Sequence, residues 1–92
     1  MSIEVRVPPL LQRRMGGTKS VHANGETVAA LLDDLNRRFP GVKGQLFTAD
    51  GELHRFVNVY LNDEDIRFLD SLNTELADGD VVLIMPAMSG GC

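Results

Sequence analysis

Cysteine is nearly absent from this 92-residue chain, and the one present, Cys92, is its last residue. No disulfide can close within one copy, which fits a reducing compartment. Long apolar runs are missing too, since none approaches the ~20 residues that a membrane span needs. The opening Met1-Ser2-Ile3-Glu4-Val5-Arg6 lacks the basic segment and apolar stretch of a secretory signal. The expected location is cytoplasmic. Positive charge is in short supply, with 9 Lys and Arg against 13 Asp and Glu and a formal net charge of −4. The basic residues are scattered, Arg13-Arg14 and Arg37-Arg38 being the adjacent pairs, so the concentrated basic face that nucleic acid needs is not there. A mildly acidic small protein is suited instead to docking on a basic patch of an enzyme.

Catalytic groupings are also lacking. His22 and His54 lie far apart, and neither has a second ligand at metal spacing. Asp63-Glu64-Asp65 lacks the glycine and bidentate glutamate of a calcium loop; it reads as a solvated turn, with a partner-contact patch as the alternative. Gly16-Gly17 is explained by a loop that needs positive φ. Arg13 and Arg14 read as solvated charge, or as a grip on an acidic enzyme surface. No Ser/His/Asp set, phosphate-cradling loop or supported carboxylate pair emerges. The chain is expected to be no enzyme, with no cofactor and no metal of its own.

What is present is one small domain's worth of elements. Ile3, Val5 and Val7 alternate with Glu4 and Arg6, the pattern of a half-buried strand, which Pro8-Pro9 ends. Residues 8–17 read as a loop carrying Leu10, Leu11 and Met15, and residues 19–22 as a second strand. Val28, Leu31, Leu32, Leu35 and Phe39 form one stripe of a helix starting near Thr27, with Asn24 or Thr27 as N-cap and Pro40-Gly41 as its stop. Residues 42–47 suit a short extra turn. Residues 55–61 read as a strand with Val57, Val59 and Leu61 on one side and Phe56, Asn58 and Tyr60 on the other. Residues 62–65 read as a turn, 66–68 as a short strand, and 71–76 as a brief helical turn.

After the Asp78-Gly79-Asp80 turn come Val81-Val82-Leu83-Ile84-Met85, apolar without alternation. Such a strand is covered on both faces, as a central strand is, or has one face that only a partner covers. Pro86 is expected to end it, with the tail leaving the sheet edge. The order of elements predicts an α+β domain, one main helix over a mixed sheet, occupying residues 1–88 and followed by a flexible tail, 89–92.

That tail, Ser89-Gly90-Gly91-Cys92, carries the chemistry. Two residues without Cβ atoms can thread a narrow channel, and a carboxylate on Gly91 would be reachable from all sides. Cys92 blocks it, adding roughly 3.3–3.6 Å of extended chain. A terminal, solvated thiol beside its own carboxylate has no reason for a lowered pKa, so Cys92 is a poor nucleophile. It reads instead as a cloning or processing remnant, or as a residue whose peptide bond to Gly91 is itself part of the chemistry.

Residues 79–91 (GDVVLIMPAMSGG) and the helix start 25–32 (GETVAALL) resemble the ubiquitin-like sulfur-carrier family of the MoaD/ThiS type. Residues 54–68 and the Gly16-Gly17 loop are similar to the CysO-type cysteine-biosynthesis carriers within it. The resemblance implies a β-grasp fold. It also implies that an E1-like enzyme adenylates Gly91 and exchanges the adenylate for sulfur, with Gly90 giving access, and that the resulting thiocarboxylate donates its sulfur in biosynthesis.

The terminal Cys92 departs from most of the family and leaves two interpretations. Cys92 is an encoded cap that a JAMM-type zinc metalloprotease removes before activation. Or the Gly91–Cys92 bond is a cysteine adduct, made with a PLP-dependent cysteine synthase and freed by the same type of protease. The written Cys92 favours the cap. A ubiquitin-like modifier joined to lysines through Gly91 is the competing function, and a binding module with an inert tail a third.

Overall fold

The computed structural model describes residues 2–54 and 57–86, and of Leu10, Arg14 and Pro86 the backbone only. Strand β1 runs Ile3–Arg6, with Ile3 and Val5 fully buried and Glu4 and Arg6 on the opposite face. β2, Ser20–Ala23, pairs with it antiparallel. It lies one residue later than the sequence pattern suggests, because Ala23 is small and apolar enough to be buried at 1 % exposure.

The segment between them is not the plain loop that residues 8–17 suggest. Pro9–Gln12 forms a helical turn, α1, and Arg13–Met15 a 3₁₀ turn. Pro9 takes the first helical position, where its missing N–H costs nothing, and Leu11 and Met15 then point into the core. Gly16 and Gly17 follow at φ 74° and 81°, the positive values expected of that pair.

Helix α2, Val28–Arg38, is the main helix. Thr27, rather than Asn24, is its cap: the Thr27 hydroxyl accepts from the Ala30 N–H at 3.2 Å. Val28, Leu31, Leu32 and Leu35 are fully buried, each removal from water being worth about 1.5–3 kcal/mol. Arg37 and Arg38 occupy the last turn, where cations favour the dipole. The helix stops at Phe39, and Gly41 at φ 102° turns the chain into α3, Val42–Leu46.

Strand β3, Val57–Leu61, buries Val57 and Val59 and leaves Asn58 and Tyr60 on the other face; Arg55 and Phe56 lie outside the described residues. Residues 62–63 form the turn expected there, and residues 64–68 depart from expectation. Asn62 and Asp63 turn with φ 49° and 73°, Glu64–Asp65 is the short strand β4, and Ile66–Phe68 is a 3₁₀ turn rather than a strand. The Asp65 carboxylate accepts from the Arg67 N–H at 2.9 Å and caps that turn, while Ile66 alone drops into the core. Ser71–Asn73 forms the brief helical turn expected there.

β5, Val81–Pro86, completes a sheet of order β2-β1-β5-β3-β4. It is parallel to β1 and antiparallel to β3, so the last strand sits at the centre. Its last residue, Pro86, is thus on a central strand and not an edge one, and the tail beyond it lies outside the described residues. One helix across one face of a mixed sheet is the β-grasp arrangement. Among the described residues no helix is long and apolar enough to cross a membrane.

Candidate functional site

The three tail residues that the sequence singles out, Gly90, Gly91 and Cys92, lie outside the described residues. What can be built is the platform that launches them. β5 is gripped on both sides, through Glu4, Val5 and Arg6 of β1 and through the five residues of β3. Val82 and Ile84 anchor it beneath, at 0 % and 1 % exposure.

Its start is tied down by side chains. The Asp80 carboxylate accepts from the Asn62 amide at 3.1 Å and from the Ala77 N–H at 2.8 Å. The Val81 N–H donates to the Asn62 side chain at 3.0 Å, the Glu4 N–H to the Asp80 carbonyl at 3.0 Å. These bonds hold Asn62 in the left-handed region that a short polar side chain tolerates. The far end of β5, Pro86, pairs with Val57. β1 pairs only as far as Leu83, so beyond that point β5 has β3 as its single partner.

The uncovered face of the sheet is the second part of the site. The cross-strand register sets Tyr60 opposite Leu83 and Asn58 opposite Met85, with Arg6 opposite Leu83 on the other side. Val81 and Leu83 are half-buried, and Met85 is 42 % exposed. The unbroken apolar run of β5 thus has one face in the core and one face half-buried or exposed among the described residues, not cover on both faces. Polar groups border the strip. The Arg6 guanidinium donates to the Glu4 carboxylate at 2.8 Å, and that hydrogen bond, before any other cause, holds the Glu4 carboxyl below its ordinary range and Arg6 above its own. Arg6, Asn62, Asp63, Val81 and Leu83 line a shallow hollow at the base of the strip.

Elsewhere the structure separates what the sequence left as options. His22 is exposed on β2 opposite Glu4, and the His54 backbone N–H donates to the Leu46 carbonyl at 2.8 Å. Among the described residues no three His, Cys, Asp or Glu side chains stand close enough to hold a metal ion. Arg13 is exposed on the 3₁₀ turn after α1. Leu83, Met85 and Tyr60 were not singled out in the sequence as a site; the missing alternation in residues 81–85 was the signal for them.

A β-grasp body with a diglycine arm on its central strand defines a ubiquitin-like carrier or modifier. The ThiS family model matches residues 5–91, and the chain belongs to that family. It is similar to the sulfur carrier protein CysO of Mycobacterium tuberculosis, at 46 % identity over 93 residues covering 99 % of this chain and all of that protein. The crystal structure of that CysO superposes with a TM-score of 0.90 over 94 % of this chain and 99 % of that one, at 45 % identity. A CysO in complex with BexX, from Amycolatopsis orientalis, gives a TM-score of 0.88 at 45 % identity over 94 % of this chain and 96 % of that one. Small archaeal modifier protein 3 of Haloferax volcanii is 35 % identical over 82 residues, 86 % of this chain and 88 % of that protein. The chain is thus a homologue of sulfur carriers and of ubiquitin-like modifiers, and these relatives are not enzymes.

Proposed function

We propose that this chain carries sulfur as a thiocarboxylate on Gly91, with residues 1–88 as the docking body and 89–92 as the arm. What carries the reading is identity to a CysO sulfur carrier along the whole chain, joined to a Gly90-Gly91 pair in this sequence. In this reading hydrolysis of the Gly91–Cys92 amide by a JAMM-type zinc metalloprotease frees cysteine and exposes the Gly91 carboxylate. On an E1-like enzyme that carboxylate then attacks the α-phosphate of ATP, forming the acyl-AMP and releasing pyrophosphate. Sulfide sulfur attacks the acyl carbon, AMP departs, and one oxygen has been replaced by sulfur. A carboxylate is a poor electrophile and AMP a good leaving group, so the adenylate is what makes the exchange feasible. The folded body contributes binding remote from the reacting atom, and the tether contributes local concentration. The complex of a related CysO with BexX supports the idea that such a body docks on partner proteins. Where a PLP-dependent cysteine synthase receives the sulfur, the product is cysteine.

The test is direct. The chain lacking Cys92, incubated with its adenylating partner, ATP and sulfide, should gain mass equal to one O-to-S replacement. An unchanged mass, with a partner shown to be active on ATP, removes the reading. Similarity to a small archaeal modifier protein favours one competitor, a protein modifier joined to lysines through Gly91. Isopeptide-linked Gly91 remnants on cellular proteins are the observation that would establish it.

A further inference from the structure

We infer that Phe68 and Leu69, on the 3₁₀ turn beside β3, form an anchor for the adenylating enzyme, filling an apolar socket rimmed by Lys and Arg. The inference rests on the sulfur-carrier reading and names a second grip of the partner on the body, in addition to the open face of the sheet.

Phe68 is 82 % exposed and Leu69 37 %; with Met85 they are the exposed large apolar side chains among the described residues. A single exposed apolar residue needs no explanation, but adjacent ones on a fixed backbone do. This backbone is fixed. Asp65 caps the turn through the Arg67 N–H, the Leu69 N–H donates to the Ile66 carbonyl at 2.9 Å, and the Asp70 N–H donates to the Thr74 hydroxyl at 3.1 Å. Ile66, two residues before Phe68, is 1 % exposed. The turn spends its one core contact on Ile66 and presents Phe68 outward, already ordered, so binding costs little further conformational entropy.

Position ties the anchor to the tail. The Arg67 guanidinium donates to the Val57 carbonyl at 3.1 Å, and Val57 is the partner of Pro86, the last residue of β5. The turn therefore stands within the reach of one arginine side chain from the residue that pairs with the end of β5.

Charge selects the partner. Residues 63–70 contain Asp63, Glu64, Asp65 and Asp70 with Arg67 as the sole cation, and the Arg67 guanidinium is already directed at a carbonyl of its own chain. An enzyme that brings a triphosphate and a carboxylate together must surround both with cations, so the mouth through which the arm enters is positive. An acidic collar around an apolar anchor complements such a mouth and steers the encounter.

Phe68→Ser, made in the chain lacking Cys92, tests this. The expected result is a KM for the carrier raised roughly tenfold or more in the ATP- and sulfide-dependent mass-shift assay, with kcat little changed, as for an aromatic hot spot. Phe68→Leu should restore most of the loss. Glu64→Gln with Asp70→Asn should lower kcat/KM at low salt and flatten its salt dependence. Thermal melts matching the parent show that Phe68→Ser folds. An unchanged KM for Phe68→Ser overturns the inference while the sulfur-carrier reading stands. The same result with loss of a dimer in sedimentation assigns Phe68 to self-association instead. A parent chain that stays unmodified removes the reading and the inference together.

Discussion

Replacing Gly25 with alanine should loosen the body more than any other conservative change near α2. A Cβ built at Gly25 falls 2.4 Å from the Leu31 nitrogen, 2.7 Å from the Leu31 Cα and 2.9 Å from the Ala30 carbonyl carbon. All three are backbone atoms of α2, so no rotamer change relieves the overlap. The chain before α2 must move out by about 1 Å, or the first turn must tilt. That turn carries the Thr27 cap, the Val28 N–H bond to the Thr74 carbonyl at 3.1 Å, and Leu31 in the core. Overpacking ordinarily costs about 1–3 kcal/mol, and rigid backbone on both sides places this case at the upper end.

For 92 residues, an unfolding entropy of about 2.1 cal/mol/K per residue converts each kcal/mol into about 5 °C, so Gly25→Ala should lower Tm by roughly 15 °C. Gly44→Ala is the control. Gly44 lies exposed in α3 with nothing within 4 Å of its Cβ position, so the better helix former should raise Tm by a few degrees, about 0.5–1 kcal/mol. Circular dichroism melts, with urea titrations to compare m values, read both. A Gly25→Ala protein within about 0.5 kcal/mol of the parent would refute the argument that backbones touch at this point.

Thr27→Ala should cost about 1 kcal/mol in urea unfolding, because the Ala30 N–H loses its acceptor; an unchanged midpoint would mean that water replaces the cap without loss. Asp34 is held below the ordinary carboxylate range first by the Asn24 N–H, then by Arg38 and Arg37. A carboxyl whose folded value is depressed contributes stability that is complete above its unfolded value and is lost as pH falls through the folded one. Asp34→Asn should therefore destabilise at pH 7, with the gap from the parent closing below about pH 4; a gap of constant size across that range would contradict the charge argument. Met85→Ser, at a 42 % exposed position on the open face, should leave stability within about 1 kcal/mol and raise the carrier's KM for adenylation roughly tenfold. Equal KM values would take the open face out of the docking surface.

The main helix was legible because its stripe of Val28, Leu31, Leu32 and Leu35 spans about two turns, enough for a period to register. β5 was legible as a strand from five consecutive apolar residues. Short segments were not. Ile66-Arg67-Phe68 alternates as a strand does, and three residues cannot distinguish that from a turn with one buried side chain; the Asp65 cap decided it. The helical turn at Pro9–Gln12 was hidden for a similar reason, since two prolines read equally well as a break and as a helix start. At the site, the glycine pair is visible as composition alone. The open face is not: Leu83 and Ile84 are both apolar residues of one strand, and only the position of α2 determines that Ile84 is covered while Leu83 is not.

That asymmetry has a functional logic. A sheet with one helix on it has one face to spare, and an isolated domain would gain by making positions 81, 83 and 85 polar. Val81 and Leu83 are half-buried and Met85 is exposed, and keeping them apolar leaves surface hydrated at a free-energy cost that a docking partner would recover. The same strand is the most constrained in the molecule, gripped by β1 and β3 and anchored by Val82 and Ile84. Its last residue, Pro86, is held against Val57 of β3. Gly91 stands five residues further on, a reach of at most roughly 18 Å. A partner that binds Leu83 and Met85 has thereby already confined the Gly91 acyl carbon to a sphere of that radius around the strand end. Under the proposed function, recognition and delivery would be coupled through one strand, and that coupling would let a non-enzymatic carrier set where its partner's reaction occurs.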